Sequence, residues 1–354
     1  MIDNQKRPLV SVRVHNYNYG RYLKECINSV LNQTYPNIEI NFSDNSSSDD
    51  SWKIVNEYFK KFPEIFNIAG NRSNFGPDAN IVNCIYPSRG KYIVQMCSDD
   101  VMAPEFIEKC VNVLEDNPEC AFVMVHRAIL DEYSNVTEEL PFYNQSCIIE
   151  GPEQAAVYMM AAINPSISQI MYVSNKEALH RVDFSKVLAG RWYGARLMDF
   201  NLACTNPIAY IKKPLLLHRL HGANDSQGAA GNLIEIIGPF LLHHQFAETA
   251  RLLNLSKIAE LLPKSVDKLS QLCLRYCARF LIEGDETIGE QYYHLSAALS
   301  LNIKSDNTFK LISEYWICDK SKKEYIKRRL EEDSSLITRK ISYDPPPGSI
   351  KINV

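Results

Sequence analysis

Along the first hundred residues, apolar side chains switch repeatedly between two spacings. Residues 10–14 (VSVRV) place valine at every second position, the period of a strand. Tyr22, Leu23, Cys26, Ile27, Val30 and Leu31 then recur at helical spacing, and Pro36 stops the run. Ile38, Ile40 and Phe42 alternate as a second strand, followed by a Ser- and Asp-rich stretch (44–51) able to cap a helix that carries Trp52, Val55, Phe59 and Phe62. Residues 65–68, the turn Asn74-Phe75-Gly76-Pro77 and a helix opening at Pro77 make a third unit, and residues 92–96 a fourth strand. This alternation predicts an α/β fold, a Rossmann-like and mostly parallel sheet flanked by helices.

The strand signal gives out beyond His221, and residues 233–329 read as successive amphipathic helices with breaks near Pro263, Gly284 and Asp306. The expected organisation is a catalytic domain over 1–225, a helical domain over 226–342 and a loose tail over 343–354. With 354 residues and 45% hydrophobic content the chain can bury a full core. A net charge of -4 offers no global field for a polyanion, which argues against a nucleic-acid partner. No apolar stretch approaches the roughly 20 residues that span a bilayer, and the N-terminus has no signal-like segment, so a cytoplasmic protein is expected. The ten cysteines are scattered through apolar segments and read as reduced core residues.

The fourth strand runs straight into Ser98-Asp99-Asp100. Ligands of open α/β sheets bind outside the carboxyl ends of the strands, so Asn16, Asp44, Asp99 and Asp100, each just past a strand, should converge on one crevice. Two adjacent carboxylates are hard oxygen ligands suited to Mn²⁺ or Mg²⁺ shared with substrate phosphates, although an isolated SDD triplet could equally cap the next helix.

The segments VSVRVHNYNYGRYLKECINSVLNQTYPNIEI, FSDNSSSDDS, NRSNFGPDAN and GKYIVQMCSDD, in this order, resemble the inverting GT-A glycosyltransferases of family 2. The likeness extends to GARLMDFNLA (194–203) and KPLLLHRLHGANDS (213–226). It implies a GT-A domain in which Asp100, with Asp99, holds the metal and Asp99 also faces the ribose. Asn16, Tyr17, Asp44, Asn74 and Gly76 would line the nucleotide, Tyr17 by stacking and Asp44 by reading the base; packing at a strand end and helix capping are their plainer alternatives. The same likeness makes Asp199 the catalytic base, where by itself it would cap a helix starting at Phe200. Arg219 would reach the diphosphate and His221 the metal, in a loop that closes on the nucleotide. Trp192 and Tyr193 could form an acceptor platform. The chain departs from the family pattern at His15, at Ala79 and at Cys97, which stands where an additional acid is frequent.

The expected activity is therefore transfer of a sugar from a nucleotide-diphosphate donor, UDP-linked in most of the family, to a hydroxyl of a glycan or lipid-linked glycan in bacterial surface polysaccharide synthesis. The rival readings are an inactive sugar-nucleotide or glycan-binding module and a nucleotidyltransferase, the latter disfavoured because HNYNYG replaces a Gly-rich basic loop. Cys273 and Cys277, four apart, read as core. The basic run at 320–329 reads as a solvated helix that could alternatively touch anionic lipid at the inner membrane face, and the helical region could mediate self-association.

Overall fold

The computed structural model describes residues 7–161, 169–183, 186–190, 193–222, 230–333, 336 and 341–354. The chain opens with β1 (Val10–Asn16), α1 (Gly20–Leu31), β2 (Ile38–Asp44), α2 (Ser51–Lys61), β3 (Phe66–Gly70), α3 (Pro77–Ile85) and β4 (Tyr92–Cys97). It continues with β5 (Val101–Met102), α4 (Phe106–Asp116), β6 (Phe122–Leu130), β7 (Val136–Glu138), β8 (Cys147–Ile149) and α5 (Gly151–Met160). Next come β9 (Ile170–Val173), α6 (Ser174–Leu179), α7 (Gly194–Thr205) and β10 (Ile208–Arg219). The helical region is α8 (Ile234–Leu252), α9 (Ser256–Ala259), α10 (Leu262–Glu283), α11 (Glu286–Leu299), α12 (Asn307–Tyr315) and α13 (Lys320–Glu332), before a last strand, β11 (Ile350–Lys351).

Among the described residues the strands join one sheet in the order β11-β8-β10-β6-β9-β4-β1-β2-β3. The units with helical crossovers, β1 to β4, are parallel neighbours, as such connections require. β9 then enters antiparallel between β4 and β6. One face of the sheet packs Val10, Val12, Val14, Ile40 and Phe42 against Leu23, Ile27, Val55 and Ile107 of α1, α2 and α4. The opposite face is polar where β1 and β2 pass under α3. There Ser11 donates to Glu39 at 2.6 Å, and Arg13 pairs with the buried Glu177 of α6 at 3.1 Å. Farther along, that face becomes apolar beneath α5, α7 and α8, around Phe122, Met124, Phe200 and Phe246.

One expectation needs correction. The tail is not loose: Tyr343 bridges to Tyr143, Ile352 N donates to Ser146 O at 3.0 Å, and β11 pairs antiparallel with β8. Extended chain beside an uncovered edge satisfies backbone groups that would otherwise be exposed, and this outweighs the three prolines before it. The split near 226 lies outside the described residues, while α8 belongs to two cores. Ile236 packs with Leu269, Tyr292 and Ile326 of the helical region, whereas Leu242 and Phe246 pack on the sheet side. Cys273 and Cys277 are buried in the helical core as expected. In α13, Lys322 and Lys323 are paired with Glu314 and Glu286, each at 2.8 Å, so part of the basic run is balanced within the chain.

Candidate active site

Parallel pairing brings the ends of β2, β1 and β4 side by side, with Asn16 opposite Asp44 and His15 opposite Cys97. Two hydrogen-bonded clusters form there. In the first, the buried Asp44 accepts from Asn16 Nδ2 at 2.8 Å, Ser47 Oγ at 2.6 Å and Ser47 N at 2.8 Å. Asn16 O in turn accepts from Asn80 Nδ2 at 2.9 Å. The buried Asn45 holds the neighbouring turn by donating to Asn74 Oδ1 at 2.7 Å and Gly76 O at 3.0 Å, and Gly76 (φ 88°) takes a conformation that favours glycine. Asn16 Oδ1 and Asn80 Oδ1 are buried acceptors without a partner among the described residues. A polar ligand with N–H or O–H groups would relieve that cost. Tyr17 stands at the rim, 43% exposed.

The second cluster surrounds the acidic pair. Pairing of β5 with β10 (Leu217 opposite Val101) lays residues 218–221 along the Asp99-Asp100 turn. Pro214 sits at a register shift in β10, the kind of break at which a strand tolerates proline. His218 Nδ1 lies 3.1 Å from Asp100 Oδ1, and His221 Nε2 lies 3.2 Å from Asp99 Oδ2. Burial and the neighbouring Asp100 charge hold the Asp99 carboxyl above its ordinary range. Burial likewise pushes the nearby His15 imidazole down to about 4, so His15 is neutral at physiological pH. Cys97 Sγ and one oxygen each of Asp99 and Asp100 all lie within 4.8 Å of one another. Carboxylates flanked by imidazoles and a thiol fit a divalent cation.

Arg219 does not behave as the resemblance implied. Its guanidinium is fully buried over the Tyr22 ring and donates to Asp99 O at 2.9 Å, Asp131 O at 2.9 Å, Ser134 Oγ at 3.1 Å and Glu25 Oε2 at 2.5 Å. Its backbone N–H also donates to Asp100 Oδ1 at 2.9 Å. In this conformation it binds the acidic turn to α1 and to the turn after β6.

Asp199 is not a cap: it is the sixth residue of α7, buried, and its Oδ1 accepts from the Tyr172 hydroxyl at 2.7 Å. Burial and the Asp199 charge push the Tyr172 hydroxyl well above its usual range, so it stays a donor. Tyr172 lies opposite Ile93 of β4, on the face shared with Gln95 and Cys97, so Asp199 meets the sheet about 13 Å upstream of Cys97 along the strand. Trp192 lies outside the described residues. Tyr193 is not a platform: its hydroxyl donates to Ile234 O at 3.0 Å, and a Cβ at Gly238 would come within 2.1 Å of its ring, so it struts α7 against α8. His218, Glu25 and Tyr172 went unread in the sequence, and Tyr22 was read only as a helix position. Only His218 left a signal there, three residues before His221 in a strand that ends beside two acids.

Acids gathered at the carboxyl ends of a twisted α/β sheet, backed by a carboxylate on a later helix, place the molecule in the GT-A class of folds. Residues 11–169 match the family described as glycosyl transferase family 2. It is 30% identical over 129 residues to a chondroitin synthase of Escherichia coli, covering 36% of this chain and only 18% of that protein. In fold it is similar to S. aureus TarS residues 1–349 in complex with UDP, with TM-score 0.53, 13% identity, and coverage of 87% of this chain and 90% of that one. It is also similar to a mannosyltransferase of Pyrobaculum calidifontis in complex with GDP-Man and Mn²⁺, with TM-score 0.51, 11% identity, and coverage of 93% and 86%. Among the described residues no helix is long and apolar enough to cross a membrane.

Proposed function

We propose that the chain transfers a sugar, with inversion, from a nucleotide-diphosphate donor to a hydroxyl of a glycan or lipid-linked glycan in bacterial surface polysaccharide synthesis. The observation that carries this reading is the meeting of Asp99, Asp100, His218 and His221 beside the Asn16–Asp44 cluster at one sheet edge. UDP is the first donor to test, because the TarS structure holds it, and the chondroitin synthase supports a polysaccharide product.

In this reading the nucleotide lies against Asp44, Asn16 and Tyr17, its donors meeting the buried amide oxygens of Asn16 and Asn80. Asp99 and Asp100, with His221, would hold a divalent cation such as Mn²⁺ or Mg²⁺, which when bound stabilises the departing diphosphate. Asp199 takes the acceptor hydroxyl proton as the new bond to the anomeric carbon forms and the bond to the phosphate oxygen breaks. Tyr172 holds that carboxylate in place through its hydroxyl. Arg219 acts as a positioning residue for the acidic turn.

The test is thermal denaturation with UDP, dTDP, GDP and CMP, each with and without Mn²⁺. A ligand at a hundredfold its Kd stabilises the native state by about 2.7 kcal/mol, so one nucleotide should raise the midpoint in a Mn²⁺-dependent way. Asp199→Asn should keep that rise while losing turnover. A midpoint indifferent to every nucleotide, or undiminished turnover in the variant, overturns the assignment.

A further inference from the structure

Cys97 differs from every other cysteine of the chain. Eight are buried, Cys318 is half-buried, and Cys97 alone is exposed, on the end of β4 beside the acidic pair. Its sulfur and the two carboxylates span no more than 4.8 Å. Metal–oxygen and metal–sulfur bonds of about 2.0 to 2.3 Å set the donors of one ion no more than about 4.5 Å apart. The three atoms thus need to close by only a few tenths of an ångström to share an ion. An imidazole stands against each carboxylate, His218 at 3.1 Å from Asp100 and His221 at 3.2 Å from Asp99. A thiolate keeps the negative charge of the acid it stands in for and changes the softness of the site: sulfur and imidazole favour zinc and cobalt, whereas magnesium and manganese favour all-oxygen shells.

We propose that Cys97 is a sulfur ligand of the cation held by Asp99 and Asp100, and that the site prefers thiophilic divalent ions over Mg²⁺ and Mn²⁺. The inference rests on the metal reading given above. On coordination the metal–sulfur bond replaces the S–H bond and the proton leaves to solvent, with no change in oxidation state.

The test is a Co²⁺ titration of the chelator-stripped full chain, kept reduced by a phosphine, followed by absorption spectroscopy and equilibrium dialysis. Wild type should retain one equivalent of Co²⁺ and develop a near-ultraviolet sulfur-to-cobalt charge-transfer band. In Cys97→Asp and in Cys97→Ser that band should vanish. The preference for Co²⁺ over Mn²⁺ should also narrow by about tenfold or more in Cys97→Asp. Retention of Mn²⁺ by Cys97→Asp shows that the fold persists. Co²⁺ binding that depends on Asp100 but lacks the band overturns the sulfur ligand and leaves the metal reading standing. A band that survives in both Cys97 variants assigns the sulfur to another cysteine and overturns the proposal. Failure of wild type to retain either ion overturns both.

Discussion

His243 shows what burial does to a titratable side chain that the site does not use. It lies on α8 with Ser265 Oγ at 2.6 Å, and burial, then the Arg196 cation, push its imidazole down to about 3. The native state therefore stays neutral at this position where the unfolded chain, with an ordinary value near 6.5, takes up a proton. Above that value the group costs nothing; as pH falls below it the unfolded state binds more protons and stability is lost. Between pH 7 and pH 5 the wild type should lose about 2 kcal/mol more than His243→Gln, measured as the shift in urea midpoint multiplied by the slope. At Tyr172 the expected effect is on catalysis. Phe in its place removes a hydrogen-bond donor to Asp199, so the acid limb of the kcat/KM profile should move to higher pH. An unmoved limb would separate Asp199 from proton transfer. The acids and amides that end strands were legible in the sequence because their position relative to a short apolar run fixes where they point. The burial of Arg219 was not legible because its partner, Glu25, stands 194 residues away on α1, and burial set by so distant a contact leaves no local trace.

At the scale of elements, spacing located β1 to β4 and the helices between them, while β5 to β10 and α5 to α7 were not read from it. Spacing could not assign faces. Alternation in β1 and β2 makes Ser11, Arg13, Glu39 and Asn41 look solvent-facing, yet all four are buried under α3 and satisfied by pairing. The contact between α7 and α8 is equally invisible in the chain, since it depends on Gly238 leaving room for the Tyr193 ring. In an open helix, Gly238→Ala would gain up to about 1 kcal/mol from propensity. Here the 2.1 Å approach should reverse the sign and cost about 1 to 3 kcal/mol as overpacking. Denaturant midpoints of Gly238→Ala, Tyr193→Leu and the double variant check this: the double should recover most of the loss, because the clash needs both partners.

For the whole molecule, strands as far apart in sequence as β1 and β11 join one sheet. Removing residues 343–354 should strip β11 from β8 and expose the backbone edge of a buried, apolar strand. Light scattering after gel filtration should then show self-association absent from the full chain, and a monodisperse truncated protein would argue that the edge is protected otherwise. The same pairing bears on the order in which the fold can form during synthesis. A sheet that starts at Val10 and closes at Lys351 encloses α8 to α13 in sequence between its strands. A nascent chain can therefore assemble β1 to β4 early, but β8 waits with one side unpaired until the entire helical region has been made and residue 350 is available. Pairing across some two hundred residues is slow by loop-closure entropy alone. Once made, the helical core can fold and bring β11 back toward its place in the sheet.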